Sequence, residues 1–293
     1  MSLELCFLPS LSTTTTTTFT MSNNSTVAST QPVTPRPIVL PNSPTSSSLI
    51  YIAHDGKEID DALLDRCAKL FSNNYGIWGQ SPTATQGPKP GSLPPSFAFP
   101  MRLTRMQAVG LGCLAAGFAS NPNQLELVGH AFATAWDYDG GRVGWVTQLV
   151  VSVTARKRYI ATSLLQMLKL RPIFRGITAI GLVSSHPSAC HALSNYTNFS
   201  IHSVDMSFCQ QNAKSILEAS PVDYVSTMEL RGSLFEDNST SGAISSAFTN
   251  FYVDHQEPLE ALAAYRARGK WLLGELLDGH EFLIILPAQG SVL

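Results

Sequence analysis

The sequence predicts one α/β (α+β) domain in which helices flank a mixed, mostly antiparallel central sheet. Three observations lead to that reading. Between residues 49 and 200, short apolar runs of strand length alternate with segments of helical periodicity. Two of the runs are joined by Asp137-Tyr138-Asp139-Gly140-Gly141, strong turn chemistry that makes them an antiparallel hairpin. The second arm of that hairpin passes through a short basic loop straight into an amphipathic helix.

Residues 1–48 are a Ser/Thr/Pro-rich segment with an unbroken threonine run at 13–18. Such a composition buries too little apolar surface to offset its ordering entropy, so a disordered tail is expected. Met21 is a second candidate for the first residue. Order is expected from 49, where Leu-Ile-Tyr-Ile-Ala reads as a strand. A helix follows over 60–74, with Leu63, Leu64, Cys67, Leu70 and Phe71 on one stripe. Residues 79–100 are rich in proline and polar breakers and read as a loop. A second helix is expected over 103–116, then the hairpin of 125–136 and 143–151. Residues 157–170 carry Ile160, Leu164, Met167 and Leu168 on one helical face. A buried strand at 177–183 and a helix opened by Pro187 complete the central unit. Further helices at 212–219 and 258–268 and a strand at 281–286 are expected to complete the sheet, with 201–290 as a C-terminal extension of a domain spanning 49–290.

The bulk numbers restrict function. Lys+Arg 19 against Asp+Glu 21 leaves a net charge of −2, with no basic excess to neutralise a phosphate backbone, so nucleic acid is not an expected partner. The hydrophobic fraction of 44% and mean hydropathy of +0.08 suit a globular core, and no run is long enough to span a bilayer. No membrane partner is expected. Cys6, Cys67, Cys113, Cys190 and Cys209 are scattered without a C-x-x-C pair, which fits free thiols and no metal site. The N-terminus has neither a basic n-region nor an early arginine, so a cytoplasmic address, with the nucleus also open, is expected.

The chemistry concentrates at 144–165. A buried strand ending Leu149-Val150-Val151 leads through Arg156, Lys157 and Arg158 to a helix start. The first turn of a helix has unpaired N–H groups and the positive end of a dipole, which together make an anion site. Cations there are unfavourable for the helix alone, so a diphosphate is the better explanation of the basic triplet. The segment resembles the GNAT superfamily of acyl-CoA N-acyltransferases, in which L-x-V ends the fourth strand and R-x-x-G-x-[GA] opens the next helix. Leu149 and Val151 match the strand; Arg156, Ile160, Ala161 and Thr162 match the loop and helix; Tyr159 stands where the family has its central glycine.

That resemblance, over about residues 49–200 and in a fungal style, implies a GNAT-type sheet splayed at strands four and five. It implies acetyl-CoA as acyl-donor cosubstrate and an amine acceptor, a small metabolite. The backbone of Leu149, Val150 and Val151 would pair with the pantetheine amides, and the N–H groups of Lys157, Arg158, Tyr159, Ile160, Ala161 and Thr162 would hold the pyrophosphate. A tyrosine at 159 is compatible with this if its φ is negative and its ring points away. The family often protonates the departing thiolate from a tyrosine on the helix after the fifth strand. Tyr196 is the tyrosine of that helix here, although aligning Phe199 puts Ser194 at that position. His130, Asp137, Asp139 and Gln148 are the candidates for a base, His130 reading most simply as a core histidine and the aspartates as turn formers. The implied mechanism is direct attack of the amine on the thioester. A catalytically silent CoA-binding module of the same fold is the alternative. Neither G-x-G-x-x-G nor G-x-x-x-x-G-K-[ST] follows any strand.

Overall fold

The computed structural model describes residues 38–39, 49–75, 112–121 and 124–288. The elements, in chain order, are β1 (Ile38–Val39), β2 (Leu49–Asp55), α1 (Asp61–Asn74), β3 (Gly112–Asn121), β4 (Gln124–Tyr138) and β5 (Gly141–Val151). They continue with α2 (Ile160–Lys169), β6 (Ala179–Ser184), α3 (Pro187–Tyr196), α4 (Met206–Glu218) and α5 (Asp223–Ser226). The last are β7 (Glu229–Arg231), β8 (Ser246–Phe248), α6 (Gln256–Ala267) and β9 (His280–Pro287). The strands form one mixed sheet in the order β1-β2-β3-β4-β5-β6-β9-β8-β7. Every neighbouring pair is antiparallel except β5 and β6, which run parallel.

One expected element is overturned. Residues 112–116, read from sequence as the end of a helix, belong to strand β3. Cys113 and Ala115 pack under α2 and α3, whereas Leu114, Ala116 and Phe118 pack under α1. A strand buried on both faces has no polar alternation, so its apolar run cannot be told from a helix by periodicity. The rest of that expected helix, the loop of 79–100 and most of the 1–48 tail lie outside the described residues. Within the tail, Ile38 and Val39 pair with Tyr51 and Ile50.

The hairpin of β4 and β5 has its turn where Asp137 and the Asp139-Gly140-Gly141 segment require it, with Gly141 at φ 125°. Asp137 accepts from the Arg142 guanidinium at 3.0 Å, a turn-closing role. The register of this pair slips once: Phe132 faces Gln148 and Ala133 faces Val146, with Thr147 as the extra residue of β5 at the slip. Such a bulge reverses the inside–outside order. Val146 and Leu149 therefore pack on the α2 side, and Val150 on the α1 side with Phe132. In α2 the buried stripe is Ile160, Leu164, Leu165 and Leu168, with Met167 half-buried. Gly129 of β4 makes room for that stripe: a Cβ there would meet Ile160 Cγ2 at 2.9 Å and Leu164 Cδ1 at 3.2 Å. The first turn of α2 is thus seated against the sheet beside the end of β5.

Candidate active site

The parallel pairing of β5 with β6 covers only three rungs, Val143 with Ala179, Gly144 with Ile180 and Trp145 with Gly181. Beyond them β5 continues to Val151 and β6 to Ser184 with no ladder between them among the described residues, while the other edge of β6 pairs along its whole length with β9. Among the described residues, the β5 segment from Val146 onward has a strand partner, β4, on one edge only. Leu149, Val150 and Val151 pair there with Ala131, His130 and Gly129. Thr147, Gln148, Leu149 and Val151 keep partial exposure. The two strands open as a wedge with its apex at Trp145 and Gly181.

Past the wide end of the wedge the chain turns through 152–159 into α2. Val153 N–H donates to Asn74 Oδ1 at 2.9 Å, which ties the turn to the end of α1. Each nitrogen of the Arg156 guanidinium is engaged: Nε with the Val151 carbonyl at 3.3 Å, one terminal nitrogen with the Asn74 carbonyl at 2.9 Å, the other with the Glu257 carboxylate of α6. Arg156 therefore fastens three elements together. Lys157 is exposed and Arg158 half-buried. Among the described residues, the N–H groups of Lys157, Tyr159, Ile160, Ala161 and Thr162 make no hydrogen bond, and the first α2 amide to find a backbone partner is Ser163, with Tyr159 O at 3.0 Å. These are the orphan donors of a helix start, with the dipole behind them.

Tyr159 caps α2 at φ 59° and ψ 16°, in the left-handed region, and Lys157 is left-handed too at φ 63°. Of the two conditions for a tyrosine in the glycine position, a negative φ is not met. The turn into α2 needs the left-handed conformation whatever side chain carries it. The ring lies outside the core at 77% exposure, so packing offsets little of a strain of about 1–2 kcal/mol. Tyr159→Gly is expected to raise stability by up to about 1 kcal/mol, less than the full strain because glycine costs more backbone entropy. Urea unfolding of the two proteins checks it; a less stable glycine variant would contradict the strain.

Tyr196 lies at the far end of α3 from the wedge. It is 2% exposed, its ring under Lys169 Nζ at 4.5 Å, and burial pushes its phenol pKa up. Lys169 Nζ also donates to the Tyr196 carbonyl at 2.7 Å. Ser194 is fully buried and its hydroxyl donates to the His191 carbonyl at 2.9 Å. Neither side chain reaches the opening, since the wedge borders the first turn of α3 and both sit in its last turn. His130 is fully buried, with Nε2 donating to Gln148 Oε1 at 3.0 Å, and burial lowers its pKa to about 4. His186 caps α3: its Nδ1 accepts from Ser188 N–H at 3.1 Å and its Nε2 faces Glu257 at 3.7 Å. Burial, and then the Arg156 charge, lower its pKa to about 4.

Three contributors escaped the sequence reading: Asn74, Glu257 and Tyr224. Tyr224 of α5 donates its hydroxyl to the Thr147 carbonyl at 3.1 Å, at the bulge beside the apex of the wedge. The C-terminal extension, expected from sequence only to complete the sheet, supplies two of the three. No local pattern marks them, because each meets its partner across a sequence separation set by the fold.

No family model and no curated protein matches the chain. Among solved structures it is similar to Arabidopsis thaliana NAA60 in complex with a bisubstrate analogue, at 17% identity and TM-score 0.33, covering 50% of this chain and 81% of that one. It is similar to agmatine N-acetyltransferase in an apo mutant form, at 11% identity and TM-score 0.36, covering 54% and 89%. It is also similar to the diaminobutyrate acetyltransferase EctA from Paenibacillus lautus with its substrate and coenzyme A, at 13% identity and TM-score 0.30, covering 66% and 89%. Counting from Leu49, the splayed strands β5 and β6 are the fourth and fifth, and the sheet order, the lone parallel pair and the strand–loop–helix junction make the fold of this chain GNAT-type.

Proposed function

We propose that the protein is an N-acyltransferase that passes an acetyl or similar acyl group from acyl-CoA to an amine, by direct attack. One observation carries the reading: the wedge between β5 and β6 runs directly into a helix start whose amides at 157 and 159–162 have no partner among the described residues. An extended arm with amide groups fits the open edge of β5, and a diphosphate fits the amides. Lys157 and Arg158 would add positive charge beside those amides, while Arg156 is held by Val151, Asn74 and Glu257. The thioester would then lie toward the apex. The amine nitrogen adds to its carbonyl carbon, the carbon–sulfur bond breaks, and the sulfur takes up one proton while the nitrogen loses one. The acceptor is a primary amine of a small metabolite. The alternative, a silent CoA-binding module, is favoured by the core position of Tyr196.

Calorimetric titration with acetyl-CoA tests the binding step, and release of free CoA thiol over an amine panel that includes agmatine and L-2,4-diaminobutyric acid tests turnover. Lys157→Glu, at an exposed side chain, is expected to weaken acetyl-CoA about tenfold, or about 1.4 kcal/mol, with little change in melting temperature without ligand. Equal affinity in the charge-reversed protein would remove the proposed diphosphate site. Binding without turnover on any amine would support the silent module.

A further inference from the structure

We infer that the first turn of α6 is a latch across the wide end of the wedge, and that Glu257 must release Arg156 before the arm of an acyl-CoA can enter. This rests on the acyltransferase reading above and concerns how its cosubstrate gains access. The observation is one oxygen with two partners. Oε1 of Glu257 accepts from the Arg156 guanidinium and lies 3.7 Å from His186 Nε2. Arg156 stands at the end of β5, where its Nε donates to the Val151 carbonyl at 3.3 Å. His186 stands just past the end of β6, where its N–H donates to the Ser184 hydroxyl at 3.1 Å. The same carboxylate oxygen therefore reaches a group at the end of each of the two strands that part after Trp145 and Gly181.

The tie lies on the side of β5 that an arm would use. Ser152 N–H points to β4, donating to the Val128 carbonyl at 2.9 Å. In the trans peptide that joins Val151 to Ser152, the carbonyl points the opposite way, toward β6. Arg156 holds that carbonyl, so guanidinium and carboxylate stand in the opening between the strands. The body of α6 is fixed on the β6 side. Its Pro258 and Leu262 are buried, the Tyr265 ring lies 5.5 Å from that of His191, and the Tyr265 hydroxyl donates to Ser188 at 3.5 Å. At the other side Phe251, six residues before Glu257, has its ring 5.9 Å from that of Tyr75 at the end of α1. Segment 251–257 thus runs from the end of α1 to the start of α3, past the turn that leads to the orphan amides of α2. The Glu257 side chain is 58% exposed, so water replaces the contact at little cost and the latch opens readily.

The test is Glu257→Gln, which keeps the length of the side chain, removes its charge and leaves the two carbonyl contacts of Arg156. Stopped-flow association of acetyl-CoA is expected at least about fivefold faster than with wild type, because a step that must open first slows capture. Dissociation is expected within about twofold of wild type, since the latch is already open in the complex, so Kd falls as association rises. The melting temperature is expected within about 3 °C of wild type, as for an exposed pair. Glu257→Ala is expected to act in the same direction. A tie that only held the fold together would do the opposite, and cutting it would leave binding unchanged or weaker. S-acetylpantetheine, which has the arm without the diphosphate, is expected to gain affinity by a similar factor, read by displacement of acetyl-CoA. A gain for acetyl-CoA alone means that Glu257 only repels the diphosphate, and overturns the latch. Association within about twofold of wild type in both variants, or slower, also overturns it while leaving acetyl-CoA binding intact. No binding of acetyl-CoA by wild type or variants removes the acyltransferase reading and the latch together.

Discussion

Arg156→Ala is expected to lower stability by about 2–3 kcal/mol, a fall in melting temperature of roughly 5–10 °C for a domain of this size. The reason is what the guanidinium leaves behind. The carbonyls of Val151 and Asn74 lose their donors, and the Glu257 carboxylate loses its cation. Glu257 is more than half exposed, so water recovers part of its share and the loss falls short of that for a fully buried pair. Arg156 itself is only 27% exposed, and its loss unties α1, the turn into α2 and the start of α6 from one another. Acetyl-CoA affinity should fall too, but as a consequence of the disordered turn. The contrast with Lys157→Glu separates the two roles: that variant, changed at an exposed side chain, is expected to lose affinity and keep its melting temperature. Thermal unfolding of both variants with and without acetyl-CoA checks the assignment. An Arg156→Ala protein as stable as wild type would return Arg156 to the anion site that the sequence suggested.

Acid is expected to weaken the fold steeply between pH 6.5 and about 4. His130 and His186 each have a folded pKa of about 4 against an ordinary 6.5. The folded protein keeps both neutral in that interval, while the unfolded chain takes up the protons. Stability is therefore complete above pH 6.5 and declines as pH falls toward 4. A difference of 2.5 pH units at 1.36 kcal/mol each sets the loss from His130 at about 3 kcal/mol by pH 4. His186 is 27% exposed and contributes less. Urea unfolding at several pH values from 7.5 to 4.5 measures the slope. His130→Gln, which has no titrating ring, is expected to flatten it by about half, and an unchanged slope would place the titration elsewhere.

What was legible in the sequence was local. The hairpin came from five turn residues with two glycines, α2 from its four-residue apolar stripe, and the orphan amides from a basic loop running into a helix start. Each depends on neighbours within a few positions, so the pattern survives without the fold. The C-terminal strand at 280–287 was legible for the same reason, as an unbroken apolar run.

Other features were decided only in three dimensions. Strand β3 looked helical because both its faces are buried, a fact that belongs to its neighbours and not to its own residues. The role of Arg156 depended on a carboxylate 101 positions away, and the phenol at the wedge on a hydroxyl 77 positions from its acceptor. Tyr196 sat on the helix the resemblance implied, but in its last turn, and a helix ten residues long carries its two ends roughly 13 Å apart. The chain alone determines the elements and the kind of charge at their junction. Which side chain faces the opening is set by helix rotation, strand register and one bulge, and a shift of a single residue in any of these exchanges inside for outside.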